Sequence, residues 1–207
     1  MNPLKSVWGT IISGAVLAVI IMLAIKGMQP AAPEGAAAGP VINMWAFWVW
    51  AHVLVGITWI GLLYYFNFVQ VPAMPAAKAD GTAPGITKHI APLALVWFRW
   101  AAVATWLTGA MALEAMHTAD GSGFVAAFTL SEGYQAIGMG AWLGTIMLFN
   151  VWVLIWPNQK KILGMVEATD EAKVKAAFVA LMASRTNTLL SIPMILGMIA
   201  QGHGYPF

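Results

Sequence analysis

His52, Arg99 and Arg185 each stand inside a long apolar stretch, where an ionisable side chain is costly and must find a partner in a helix bundle or a ligand. His52 precedes Gly56 by four residues and Trp59 by seven, so on a helix the three share one stripe. A neutral imidazole can ligate haem iron, and a glycine one turn away leaves room for a flat macrocycle. The sequence contains no cysteine, which removes thiolate ligands, iron–sulfur clusters, disulfides and covalent c-type haem attachment. Histidine is then the natural axial ligand for a haem, with methionine the weaker alternative. The competing reading of His52 is a helix-packing histidine hydrogen-bonded to a neighbour.

Arg99, Val103, Trp106, Ala110 and His117 step along one face of a single helix, polar at both ends and aromatic between. Glu114 sits three residues before His117 and is placed to hydrogen-bond it. Arg185 belongs to Ser184-Arg185-Thr186-Asn187-Thr188, a polar patch in an apolar run with Pro193 beyond it. A buried arginine there could hold a haem propionate or an anionic substrate. A structural pair with Glu114 explains it equally well. His117 and His203 read first as solvated interfacial histidines, although both fall toward the same surface as His52 and could converge with it.

The elements that must position these residues follow from composition. Of 207 residues 60% are hydrophobic and only 9% charged, and the mean hydropathy is +0.77. Soluble domains carry about 25% charged residues, so an integral membrane protein is implied. A spanning helix needs roughly 20 mostly apolar residues. Five stretches qualify, at about 7–25, 44–71, 93–116, 136–156 and 174–200. They imply an all-α bundle of about five transmembrane helices forming a single domain over 1–207. The first could instead be a signal peptide, but its apolar run is long for one and Gly27 to Pro40 offers a weak cleavage site. Pro72, Pro75, Gly81 and Pro84 exclude one continuous helix through 72–91.

With the N-terminus inside, the inner loops carry Lys5, Lys78, Lys88, Lys160, Lys161, Lys173 and Lys175, and the outer side only Lys26. That asymmetry places the chain in a bacterial inner membrane with a cytoplasmic N-terminus and a periplasmic C-terminus. Trp8, Trp45, Trp48, Trp97, Trp142 and Trp156 fall near helix ends, where indoles prefer the headgroup layer. Trp59 and Trp106 lie deeper and require either packing or a cofactor pocket. Gly140 and Gly144 allow another helix to approach closely. No basic patch with interleaved aromatics is present, so nucleic acid is not an expected partner.

The run from His52 to Asn67 (His-Val-Leu-Val-Gly-Ile-Thr-Trp-Ile-Gly-Leu-Leu-Tyr-Tyr-Phe-Asn) resembles the second-helix signature of the PuuD-type urate hydroxylase membrane domain. The resemblance continues in Trp97-Phe-Arg-Trp100, in Phe149 to Lys161 and in Ser184 to Pro193. It implies a haem-b-binding membrane domain with His52 as axial ligand and Arg99, Asn150, Arg185 and Asn187 as polar pocket residues. It also implies that His203, in Gly202-His203-Gly204, is the family's histidine after the last helix, and so a second candidate iron ligand. Full-length members carry a cytochrome c domain after an outward C-terminus. No Cys-x-x-Cys-His occurs before Phe207, so electrons are expected to pass to a separate periplasmic cytochrome c or to other subunits of a membrane complex. The leading expectation is a haem-b electron-transfer protein or subunit of a respiratory assembly. The alternatives are a urate-oxidising oxidoreductase and a haem-free accessory subunit.

Overall fold

Long apolar runs have one low-energy option in hydrocarbon, the helix, because it satisfies its backbone hydrogen bonds internally. The computed structural model describes residues 2–28, 42–118 and 121–204, without the side chains of His117 and Thr118. The proposed cleavage region after Met28 and the carboxylate of Asp120 lie outside the described residues. Two units result, Met1–Val41 and Ile42–Phe207.

In the first unit α1 spans Val7–Gly27, and the Ser6 hydroxyl caps it by accepting from the Gly9 N–H at 3.0 Å. None of its residues is buried, and apolar side chains point out on every side, as a lone lipid-facing helix requires.

In the second unit α2 runs Met44–Ala79, α3 Ala83–Glu114, α5 Gln135–Ile162 and α6 Asp170–His203, with a short α4 at Gly123–Phe128 between α3 and α5. With α1, five helices are long and apolar enough to cross a membrane, which bears out the expected helical bundle. Asn43 caps α2 and Thr169 caps α6 through their side-chain oxygens. The only strand pairing among the described residues is a two-residue ladder, His117–Thr118 against Gly121–Ser122. Asp80 closes the turn from α2 to α3. Its carboxylate accepts from the Thr82 hydroxyl and backbone N–H, and those bonds hold its pKa below the usual value.

Residues 72–91 are not one continuous helix, as expected, but the break does not fall at the first two prolines. Pro72 and Pro75 lie within α2, which continues to Ala79, and the break comes at Asp80–Thr82. Just before Pro72, Pro92 and Pro157 the backbone widens into π-helical turns at Tyr65–Gln70, Ile86–Ile90 and Asn150–Ile155. Each ends on an i→i−5 bond, Val71 to Phe66, Ala91 to Ile86 and Trp156 to Val151. The wider turn absorbs the missing N–H and the ring clash that a proline brings, so the spanning helix survives.

Lipid tails are as apolar as leucine, so packing and polar contacts rather than water exclusion hold such helices together. The core gathers Trp59 and Leu63 of α2, Phe98 and Ala102 of α3, Met147 and Val151 of α5, and Ala183 and Met194 of α6. At the α5–α6 crossing a Cβ on Gly197 would lie 2.6 Å from the Ala136 carbonyl and 3.0 Å from the Gly140 nitrogen. Gly140 thus makes the expected close contact, whereas a Cβ on Gly144 would meet nothing within 4 Å. Lys78, Lys88, Lys160, Lys161, Lys173 and Lys175 all fall at the end of this unit where α2 passes to α3 and α5 to α6.

Candidate functional site

α2 and α3 are antiparallel neighbours, and His52 is fixed on the seam between them. Its Nδ1 lies 2.8 Å from the Thr105 carbonyl oxygen. A carbonyl only accepts, so Nδ1 carries a proton, and in the neutral ring Nε2 would present a lone pair. Nε2 makes no hydrogen bond among the described residues. Donation of the far ring nitrogen to a backbone carbonyl is how ligating histidines are usually oriented and made more basic. The Thr105 carbonyl also accepts from the Thr108 hydroxyl at 3.1 Å, and the Thr105 hydroxyl donates to the Ala101 carbonyl at 2.7 Å.

Glycine makes the seam possible. A Cβ at Gly109 would fall 2.9 Å from Cε1 and 3.0 Å from Nδ1 of His52. Gly56 does not keep space open for a macrocycle, because the Thr105 methyl would lie 3.7 Å from a Cβ there. A Cβ there would make an ordinary van der Waals contact with α3. Trp59 shares the stripe as expected and is 2% exposed in the core, yet its Nε1 is buried without a partner. A buried orphan donor calls for a ligand or a water.

The remaining candidates are spread over the unit. Arg99 is half-buried on α3, its Cζ 3.7 Å from the Trp156 ring centroid of α5, and its Nη1 is buried without an acceptor. Val103 and Trp106 follow it on the face toward α5, where the Trp106 Nε1 donates to the Thr145 hydroxyl at 2.9 Å. Arg185 is exposed on the outside of α6, so it does not line the bundle interior, and it makes no ion pair with Glu114. Glu114 instead accepts from Ser122. His203 is exposed at the C-terminal end of α6, and His89 is exposed near the start of α3. The side chain of His117 lies outside the described residues. Among the described residues no group of three His, Asp or Glu could hold a bare metal ion. A haem makes a smaller demand, because its porphyrin leaves only one or two axial positions for the protein to fill.

The polar patch on α6 turns Ser184 and Asn187 inward, whereas Thr186 is exposed like Arg185. Asn187, fully buried, accepts from the Asn150 amide at 2.8 Å and donates to the Met147 carbonyl at 2.9 Å. Because its Nδ2 faces a carbonyl, its Oδ1 must be the atom facing Asn150. Ser191, also fully buried, meets the Tyr64 hydroxyl at 2.9 Å, and Asn67 donates to the Ser184 hydroxyl at 2.8 Å. Asn67 and Asn150 lie in π-helical turns, so the widened backbone carries the amides that tie α2 and α5 to α6. Sequence reasoning alone does not find Thr105, Gly109, Tyr64 or Ser191. A threonine carbonyl and a bare glycine leave no chemical signature in a sequence.

Residues 122–207 match the family described as urate oxidase N-terminal. The match bears out the resemblance to the urate hydroxylase membrane domain over its last two motifs, Phe149 to Lys161 and Ser184 to Pro193, and it includes His203. In that family segment Asn150, Asn187 and Ser191 form the buried polar contacts of α5 and α6, while Arg185 does not. His52 and Arg99 precede the matched residues. No match was found among curated proteins or among solved structures.

Proposed function

We propose that this chain is a haem-b electron-transfer protein of a bacterial inner membrane, acting alone or as a subunit of a larger redox complex. The observation that carries the reading is His52, locked through Nδ1 to the Thr105 carbonyl with Nε2 left as a lone pair at membrane depth. Bound there, haem b would supply one-electron transfer between its iron oxidation states. Thr105 would hold the ring orientation and Thr108 would brace the same carbonyl. His203 is the candidate second ligand, and Arg99 a candidate pocket residue. The six lysines at one end of the second unit favour that end as cytoplasmic, which sends the C-terminal end of α6 to the periplasm. A separate periplasmic cytochrome c is the corresponding electron partner.

The test is a reduced-minus-oxidised visible spectrum of protein purified from haem-replete cells. A b-type spectrum is expected, and a featureless one would remove the redox reading. The urate oxidase N-terminal match favours a second reading, in which urate is the reductant. Urate added to the oxidised protein would then produce the reduced spectrum, and no change would leave electron transfer without urate chemistry.

Gly109→Ala separates a ligand role for His52 from a packing one. The added methyl has to displace the imidazole from the Thr105 carbonyl, at a cost of about 1 kcal/mol in stability. Loss of such an orienting bond weakens metal-site affinity by roughly tenfold or more. Haem retention on gel filtration should therefore fall well before the melting temperature does. Equal haem content in variant and wild type would show that the orientation of His52 is irrelevant to binding.

A further inference from the structure

The seam between α3 and α5 holds donors that nothing among the described residues accepts from. Arg99 Nη1 and Trp152 Nε1 are both buried without a partner. Arg99 lies over one indole, Trp156, and Lys160 Nζ is 5.9 Å from the centroid of the same ring. Among the described residues neither cation forms an ion pair, the one such pair being Lys173 with Asp170. Two cations around one tryptophan with no carboxylate are an unmet demand for an anion. One helical turn away, since Val103 follows Arg99 by four residues and Trp152 precedes Trp156 by four, is an open groove of about 400 Å³ lined by Val103, Trp106, Thr145, Leu148, Phe149 and Trp152. Its single hydroxyl, on Thr145, is already taken by Trp106. Apart from the unpartnered Trp152 Nε1, its lining is apolar, which suits a hydrocarbon chain better than a soluble ligand.

We propose that this groove seats an anionic phospholipid, its phosphate between Arg99 and Lys160 and one acyl chain along Val103, Leu148 and Phe149. Lys160 lies in the last turn of α5, at the lysine-rich end of the unit, which is where a headgroup would be. Arginine supplies the fork that a phosphate accepts from, and lysine a second positive charge. Trp156 holds the guanidinium flat against its ring, so little side-chain entropy remains to be lost when the lipid arrives. The inference does not rest on the haem reading, although it assigns Arg99 to a lipid phosphate and not to the haem pocket.

Native mass spectrometry of the detergent-purified full chain decides it, with dioleoyl phosphatidylglycerol, dioleoyl phosphatidylcholine and inorganic phosphate as probes. Phosphatidylglycerol should bind in preference to phosphatidylcholine by roughly thirtyfold, the size expected of two surface cations. The preference should vanish in Arg99→Gln/Lys160→Gln. Val103→Phe, which fills the groove and keeps both cations, should also lose the lipid and keeps the test available if the double variant does not fold. Equal binding of the two lipids, or an unchanged preference in either variant, would overturn the proposal. Full displacement of phosphatidylglycerol by inorganic phosphate would overturn it in favour of a soluble-anion site. Loss of haem with retained lipid in the double variant would do so in favour of a propionate site.

Discussion

Gly197→Val is expected to destabilise the second unit by about 3 kcal/mol or more, the upper range for overpacking. The atoms a valine Cβ would meet are backbone, the Ala136 carbonyl at 2.6 Å and the Gly140 nitrogen at 3.0 Å, so no rotamer change relieves the clash. α5 and α6 must move apart, and with them the buried Asn187 contacts. Gly144→Ala is the matched control. Nothing lies within 4 Å of its Cβ, and the change removes a flexible residue from a helix, so stability should hold or rise by about 0.5 kcal/mol. Unfolding in increasing sodium dodecyl sulfate fraction measures both. Equal tolerance at the two glycines would mean that the α5–α6 crossing is not where the structure places it.

Asn187→Ala is the second large effect. The amide makes two bonds, and interhelical hydrogen bonds in membranes average about 0.6 kcal/mol each. Truncation also leaves the Asn150 side-chain amide unpaired in a dry site, where an orphaned buried group costs about 1–3 kcal/mol, while the Met147 carbonyl keeps the Asn150 backbone N–H. Together these put the loss at about 2–3 kcal/mol. Asn150→Ala should cost less, because Asn187 keeps its bond to the Met147 carbonyl. The double variant should lose less than the sum of the two, with a coupling of about 1 kcal/mol. Additive losses would show that the two amides do not bond.

The contrast between Arg185 and Asn187 shows what the sequence could and could not yield. Both lie in one polar patch, and hydropathy alone makes both costly. Helical phase separates them: Ser184, Asn187 and Ser191 fall on one stripe, and Arg185 lies about 100° from Ser184. That period, strictly applied, turns Arg185 outward. Similarly, Gly140 and Gly144 are equivalent in sequence, and only the position of α6 decides which one is a contact. The spans were legible because hydrocarbon permits so few backbone solutions. That residues 72–91 are not one continuous helix was legible; that the break falls at 80–82, with Pro72 and Pro75 kept inside α2 behind a π-helical turn, was not. His52 was legible as a costly histidine. Its tautomer was not, because that depends on a carbonyl 53 residues away.

The central claim is that His52 Nε2 ligates haem, and the direct measurement is the reduced-minus-oxidised spectrum of His52→Ala beside wild type at equal protein concentration. The variant should keep its helical content and melting behaviour to within the cost of one lost hydrogen bond, about 1 kcal/mol, because Thr105 sits on a helix that Phe98 and Ala102 still anchor. Its b-type bands should disappear. A variant with an unchanged spectrum would place the iron on another residue and return His52 to the role of a packing histidine.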